Sequence, residues 1–554
     1  MTGFSAARLQ VMWNRLLAVV EEQGQTLIRA AFSPIVRECG DISAGVFDLQ
    51  GRMLAQAVTG TPGHINTMAE AVKILRAHFP LQEMKPGDIY TTNDPWIASG
   101  HLNDFLGLMP IFHNGHVVGF TACTAHLVDM GGLGMGPEGS DIQDEGLLVP
   151  PCRMVDQGEV NAFLLEIIKA NSREPIANEG DLYALIACCE IGARRVVEMM
   201  DEFGLDHLDP LAEHIIETSR RGTLKAIAVV PPGVYTNALT IDGYESEIEL
   251  RAKLTVSPDG MDLDFAGTSP CSAKGINVPL NYATAYSVFG LRCIIGPDIP
   301  NNAGSLAPFR VTGPPGCILN AQSPSPVAMR HVLGQLTPDL VYGCLCQALP
   351  DRIPAEGASC MYDLPMRHAP EVARNGGQQF ALELTHNGGT GARPSKDGLS
   401  ATAFPSGVWG SQVEITESVA PVLVTQRELR PDSGGAGRWR GGLGQRLELR
   451  SANDQAFLVF LAVDRVKFPA RGRDGGKNGA PGRLRVDDGP DLPGKGELRV
   501  APGETLIFET PGGGGFGDPA ERDRALVRRD LSEELISAEM AQAVYGLPAG
   551  EDRS

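Results

Sequence analysis

No Gly-x-x-x-x-Gly-Lys-Ser/Thr phosphate loop occurs in the 554 residues, so any use of ATP falls to a different fold or a different chain. No Gly-x-Ser-x-Gly elbow is present, and Cys39 and Cys123 have nothing beyond proximity to recommend them as nucleophiles, which argues against covalent catalysis. The 11 cysteines include no Cys-x-x-Cys and are odd in number, a pattern of reduced, buried thiols and not of a disulfide or zinc-finger framework. No run reaches the roughly 20 apolar residues that cross a bilayer, and the first residues lack the order of a signal peptide. A cytoplasmic protein with no membrane partner is therefore expected. Basic residues are scarce: 47 Lys and Arg face 67 Asp and Glu, and the formal charge of -20 repels phosphate backbones, so no nucleic-acid partner is expected. The acid excess lies almost wholly before Pro421.

What is present is an ordinary globular composition, 43% hydrophobic and 21% charged, in a chain long enough for several domains. The periodicities predict a multidomain α+β protein: a mixed α/β N-terminal region over 1–230, a central α+β domain over 231–420, and a glycine-rich β domain with a helical tail over 421–554. Leu9, Met12, Trp13, Leu16, Leu17 and Val20 fall on one helical face. Helices are likewise predicted at Asn66 to His78, Asp181 to Met200 and on to Ile227, Asn281 to Ile295 and Val332 to Leu349. Strands are predicted at Ala44 to Leu49, Arg52 to Ala57, Met109 to Phe112 and Val117 to Cys123, with long polar loops around the last two. Leu250 to Val256 and Met261 to Phe265 alternate about a Ser-Pro-Asp-Gly turn and predict a hairpin. Further strands are read at Gln445 to Leu449, Ala456 to Val463 and Glu504 to Glu509.

The chemistry concentrates in Thr92-Asn93-Asp94-Pro95, Gly100-His101-Leu102-Asn103-Asp104 and Ala125-His126-Leu127-Val128-Asp129. These hold two His-x-x-Asp pairs, and imidazole with carboxylate is the ligand set of zinc, manganese or iron. Residues three apart on a strand face opposite ways, so His101 and Asp104 share a metal only from a loop or helical turn. The alternative is a pair of hydrogen-bonded loop histidines. His64 lies near the same cluster, and Asp41 sits in a short polar turn where a capping role competes. Gly512 to Gly517 satisfies Gly-x-Gly-x-x-Gly, but too little chain follows for a dinucleotide unit, and a structural turn is expected. The loop His386 to Arg393 offers either an anion-binding run of amides or a plain connection.

Together these segments resemble the hydantoinase B/oxoprolinase family. The resemblance rests on Arg37-Glu38-Cys39-Gly40-Asp41-Ile42-Ser43, Gly63-His64-Ile65, the Asn-Asp-Pro and Gly-His-Leu-Asn-Asp loops, Ala125-His126, Asn277-Val278-Pro279 and Pro300-Asn301-Asn302-Ala303-Gly304. It continues through His386-Asn387-Gly388-Gly389, Asp432 to Gly437 and Pro511 to Pro519. It implies a hydantoinase A-type ATP-binding subunit as partner in a hetero-oligomer, with this chain as the B part. The partner phosphorylates an amide or carbonyl oxygen, and the B part completes the chemistry. It also implies a divalent metal held by two histidines and two carboxylates, which fall on Asp41, His101, Asp104 and His126. Asp94, Asp129 and His64 are then candidates for orienting those ligands or for general-base work.

The function this implies is hydrolysis of a small cyclic amide: a hydantoin, lactam or 5-oxoproline-like ring. An ATP-dependent ketone carboxylase is the alternative within the same superfamily, and a noncatalytic scaffold the alternative outside it.

Overall fold

The apolar stripe that opens the sequence becomes a helix, Ala6–Ala30, begun by Ser5, whose hydroxyl accepts from the Arg8 amide. The computed structural model describes residues 4–58 and 61–548. The first helix packs along a second long one, Pro175–Phe203, and both lie on one face of a seven-stranded sheet. Its strand order is Met53–Gln56, Ile42–Phe47, His116–His126, Asp104–His113, Ile89–Thr92, Cys152–Asp156 and Glu159–Val160, antiparallel throughout. Helix Pro62–His78 covers the other face. Alternate residues serve the two sides: Phe105, Cys123 and Ala125 meet the long helices, whereas Leu106, Leu108, Phe120 and Ala122 meet Pro62–His78.

A sheet buried on both faces has no polar alternation to mark its strands. The two short runs expected at Met109 to Phe112 and Val117 to Cys123 are therefore parts of longer strands, closed by Asn114-Gly115, both at positive φ. The loops expected around the two His-x-x-Asp pairs lie outside this hairpin: His101 is in the turn that leads into the strand begun by Asp104, and Asp129 follows the strand that His126 ends.

The hairpin holds, Ile248–Ser257 pairing with Gly260–Asp264 so that Met261 stands opposite Val256 and Leu263 opposite Leu254, in a four-stranded sheet backed by Leu280–Ile294 and Thr337–Leu345. The helix expected over Val332 to Leu349 is two, His331–Gly334 and Thr337–Leu345. Pro338 explains the break, since its ring excludes a continuous turn through the Gly334 carbonyl.

Two further four-stranded sheets enclose a core of Tyr362, Leu364, Leu447, Val459 and Phe508, and one of them joins Tyr362–His368 and Ala381–His386 to Phe457–Ala462 and Lys495–Val500 across residue 420. The run Gly512 to Gly517, expected as a turn, is instead backbone threaded between other segments and hydrogen-bonded to them. The Gly513 amide bonds the Gly442 carbonyl at 3.0 Å, and the Gly514 amide bonds the Glu356 carbonyl at 2.8 Å. A Cβ on Gly513 would lie 2.0 Å from the Thr390 carbonyl oxygen, so glycine is required there by close approach. The same stack uses the amides of Gly389, Thr390 and Ala392, which decides the His386 to Arg393 loop in favour of a structural connection. The expected helical tail is present as Arg524–Ser532 and Ala538–Ala543. No helix among the described residues is long and apolar enough to cross a membrane, and all 11 cysteines are free.

Candidate metal centre

Strand register builds the site. Asp104 stands directly opposite His126 in the ladder, and Ile42 pairs with Ala125, so Asp41, just before its strand, reaches the same end of the sheet. The His126 amide donates to the Asp41 carbonyl at 3.3 Å. His101 enters from the turn before Asp104, made possible by Gly100 at φ +90, where a Cβ would press on Tyr282 and Arg330. His64 comes from the first turn of Pro62–His78, whose N-cap Thr61 donates its hydroxyl proton to Asp41 Oδ1 at 2.5 Å.

His101 Nε2 lies 2.9 Å and His126 Nδ1 3.1 Å from Asp104 Oδ1, and the three donor atoms fall within 4.8 Å of one another. Asp41 Oδ2 is 3.7 Å from the same His126 nitrogen. His101, Asp104 and His126 are buried almost completely. Zinc-type ligand distances of about 2.0–2.2 Å place neighbouring donors roughly 3 Å apart, which these spacings match. The tautomers fit as well. His101 Nδ1 lies 3.1 Å from the Ala328 carbonyl, which fixes the proton on that nitrogen and leaves buried Nε2 without a hydrogen-bond partner. His126 turns Nε2 to Glu383 Oε2 at 3.0 Å, leaving Nδ1 for the centre.

His64 Nε2 is 3.0 Å from Asp104 Oδ2 and Nδ1 is 3.5 Å from Asp41 Oδ1, at angles that make neither a hydrogen bond. Arg330 donates to Asp104 Oδ2 at 2.7 Å and to the Ser99 carbonyl at 3.1 Å.

The charges of the site are set by one another and by burial. Burial raises Asp104, but His101, His64 and Arg330 outweigh it and hold the carboxyl well below the ordinary range. Burial and the Arg330 charge push His101 down to about 4, so its imidazole is neutral. For His126 burial works downward, and Glu383 and Asp104 overcome it, lifting the pKa well above the usual value. In the metal-free protein His126 is thus the imidazolium that balances the surrounding carboxylates.

Of the seven sequence candidates, Asp41, His64, His101, Asp104 and His126 are brought together. Asp94 and Asp129 are engaged elsewhere: Asp94 Oδ1 accepts from the Trp96 amide at 2.9 Å, and Asp129 pairs with Arg173 at 2.7 Å. These contacts, and none to the five clustered residues, are what the structure gives the two carboxylates that were expected to orient ligands or act as bases. Sequence reasoning missed Arg330, His331, Asp363 and Glu383, all buried. Their one signal was an ionisable residue inside a mostly apolar run, as in Met361 to Met366.

The chain belongs to the hydantoinase B/oxoprolinase family, whose model matches residues 5–519. It is 30% identical to the B component of a putative D-/L-hydantoinase from Pseudomonas sp. (strain NS671), over 97% of this chain and 94% of that one. It is also 30% identical to the beta chain of the caprolactamase of Pseudomonas jessenii, over 97% of this chain and 95% of that one. The crystal structure of the ATP-dependent caprolactamase from that organism superposes with a TM-score of 0.91 at 27% identity, covering 100% of this chain and 98% of that one. Acetone carboxylase in its nucleotide-free structure shares the fold, with a TM-score of 0.85 at 20% identity over 97% of this chain and 80% of that one.

Proposed function

We propose that the chain is the ring-opening subunit of an ATP-dependent cyclic amidase acting on a hydantoin, lactam or 5-oxoproline-like ring. The observation that carries this reading is the buried convergence of His101 Nε2, Asp104 Oδ1 and His126 Nδ1 beside Asp41, in a chain without a phosphate loop. Relatives named as the B component of a hydantoinase and the beta chain of caprolactamase support it. An amide is a poor electrophile, so a partner, the hydantoinase A-type ATP-binding subunit, phosphorylates the carbonyl oxygen and this chain acts on the activated ring. The hetero-oligomer works in the cytoplasm, where ATP is available.

Asp41, His101, Asp104 and His126 would hold a divalent zinc, manganese or iron ion. Such an ion supplies Lewis acidity at the reacting carbon. The protein's own groups set the geometry: Arg330 occupies Asp104 Oδ2 so that Oδ1 faces the two imidazoles, Glu383 orients His126, and Thr61 holds Asp41. Burial excludes bulk water, which strengthens each of these interactions.

The test is ATP-dependent opening of hydantoin, 5-oxoproline and caprolactam by the chain with its ATP-binding partner, alongside metal content. A ketone carboxylase is the second reading, favoured by the fold shared with acetone carboxylase. There the activated species is an enol phosphate, and bicarbonate-dependent conversion of acetone to a carboxylate without ring opening identifies it.

A further inference from the structure

One short segment makes two contacts with the candidate ligands. Within residues 326–330 the Ala328 carbonyl lies 3.1 Å from His101 Nδ1, and Arg330 donates to Asp104 Oδ2 at 2.7 Å. The segment is neither helix nor strand, so what holds it in place comes from other parts of the chain.

Glu145 supplies most of that hold. The Val327 and Ala328 amides both donate to Glu145 Oε1, at 2.6 and 2.8 Å. Two successive peptides are thereby fixed, and the next carbonyl along is the one that His101 meets. The Met329 amide donates to the Gly275 carbonyl at 2.8 Å, and Gly275 also leaves room for the acid, since a Cβ there would lie 3.0 Å from Glu145 Oε1. Asn277, from the Asn-Val-Pro stretch that the centre does not use, donates Nδ2 to the Pro326 carbonyl at 2.9 Å and to the Ser272 and Lys274 carbonyls at 3.0 Å. Glu145 is 5% exposed, and its other oxygen, Oε2, has no hydrogen-bond partner. A buried carboxyl left half unsatisfied costs stability, so stability alone does not account for it.

We propose that Glu145 is a positioning residue for the metal centre: by gripping the Val327 and Ala328 amides it aims the Ala328 carbonyl at His101 Nδ1, and so keeps His101 Nε2 turned toward Asp104 and His126. This rests on the metal-centre reading. Glu145 bonds to none of the four ligands itself and acts through the backbone. Arg330 follows two residues after Ala328, so the same grip sets its guanidinium against Asp104, and Asn277 braces the segment from the central region.

The experiment loads the full chain with cobalt(II), a spectroscopic probe for such a site, in wild type, Glu145→Gln and Glu145→Asp, and records affinity by competition and the visible absorption spectrum. Burial outweighs the two amides and pushes the Glu145 carboxyl up to about 8, so glutamine, neutral and of equal length, is the conservative replacement. Aspartate is one methylene short of the amides. The proposal predicts about a 10-fold loss of affinity and an altered cobalt spectrum in Glu145→Asp, the lower end of the cost of losing an outer contact, with Glu145→Gln close to wild type in both. Wild-type affinity and spectrum in a folded Glu145→Asp overturn it, and so does an equal loss in the two variants. If Glu145→Asp does not fold, hydrogen exchange on wild type decides. Coupling between the grip and the centre is reciprocal, so metal loading should slow exchange of the Val327 and Ala328 amides, and exchange there that metal leaves unchanged overturns the proposal. Wild type that binds no metal overturns the metal centre itself and this inference with it, a result distinct from a Glu145→Asp variant that binds as wild type does.

Discussion

Asp104 and His126 face each other across the ladder of two antiparallel strands, and the 3.1 Å between Asp104 Oδ1 and His126 Nδ1 follows from that register. A one-residue slip of either strand would turn that strand's ligand to the opposite face from its partner and dissolve the centre. Strand pairing and ligand geometry are therefore one constraint, anchored by Asn114-Gly115 at the hairpin's far end.

Glu383→Gln keeps the shape of the side chain facing His126 and removes its charge. Metal affinity is expected to fall about 10- to 100-fold, the usual cost of losing such a supporting carboxylate, with the fold retained. Competition titration with a chelating indicator measures this, and an unchanged affinity would detach Glu383 from the centre.

Metal binding should release a proton. His126 is held protonated in the metal-free protein by Glu383 and Asp104, against the opposing effect of burial, and Nδ1 must give up its proton to become a ligand. Affinity is expected to rise with pH through the His126 titration, and calorimetry in buffers of different ionisation enthalpy counts the protons. Zero release contradicts the assignment of Nδ1.

Acid should weaken the metal-free fold. Burial lowers His101 to about 4 and His386 to about 3, whereas both take up protons near pH 6.5 once unfolded. Their folded pKa values are depressed, so the stability they contribute is present above about pH 6.5 and is lost as pH falls from there toward the folded values. His386→Phe keeps a ring tilted against Phe508, the centroids 5.3 Å apart in the native pair, and removes one titration, and it should flatten the acid limb of thermal midpoint against pH. An unchanged limb would exclude His386 as a contributor.

Gly513→Ala should destabilise by about 3 kcal/mol or prevent folding, because its Cβ would lie 2.0 Å from the Thr390 carbonyl oxygen. Neither ATP nor NAD should raise the thermal midpoint of the chain alone. A shift with either would return the glycine run to the status of a nucleotide site.

Asp41, His101, Asp104 and His126 were legible because they cluster in a polar stretch and stand at positions a known family pattern marks. His64 was legible as a neighbour of that pattern but not in role. Glu383, Asp363, Arg330 and His331 were not, since each lies more than 200 residues along the chain from Asp104 and joins the site only through packing of separate layers. As a bare His-x-x-Asp pattern Asp129 reads like Asp104, and Asp94 lies in the same polar stretch; the family resemblance alone sets Asp104 apart from them in sequence. What separates them is a capping contact with Trp96 and an ion pair with Arg173, tertiary facts that spacing does not carry. The hairpin strands around Asn114 were underestimated in length because burial on both faces erases the alternation that marks a strand.

Metal content tests the central claim most directly: elemental analysis of wild type beside His101→Ala and His126→Ala after purification and loading with zinc, manganese or iron. The account predicts close to one metal per wild-type chain and near-complete loss in both variants, with the fold preserved by circular dichroism. Wild-type protein that takes up none of the three metals, or variants that retain them, would contradict the metal centre and favour a scaffold.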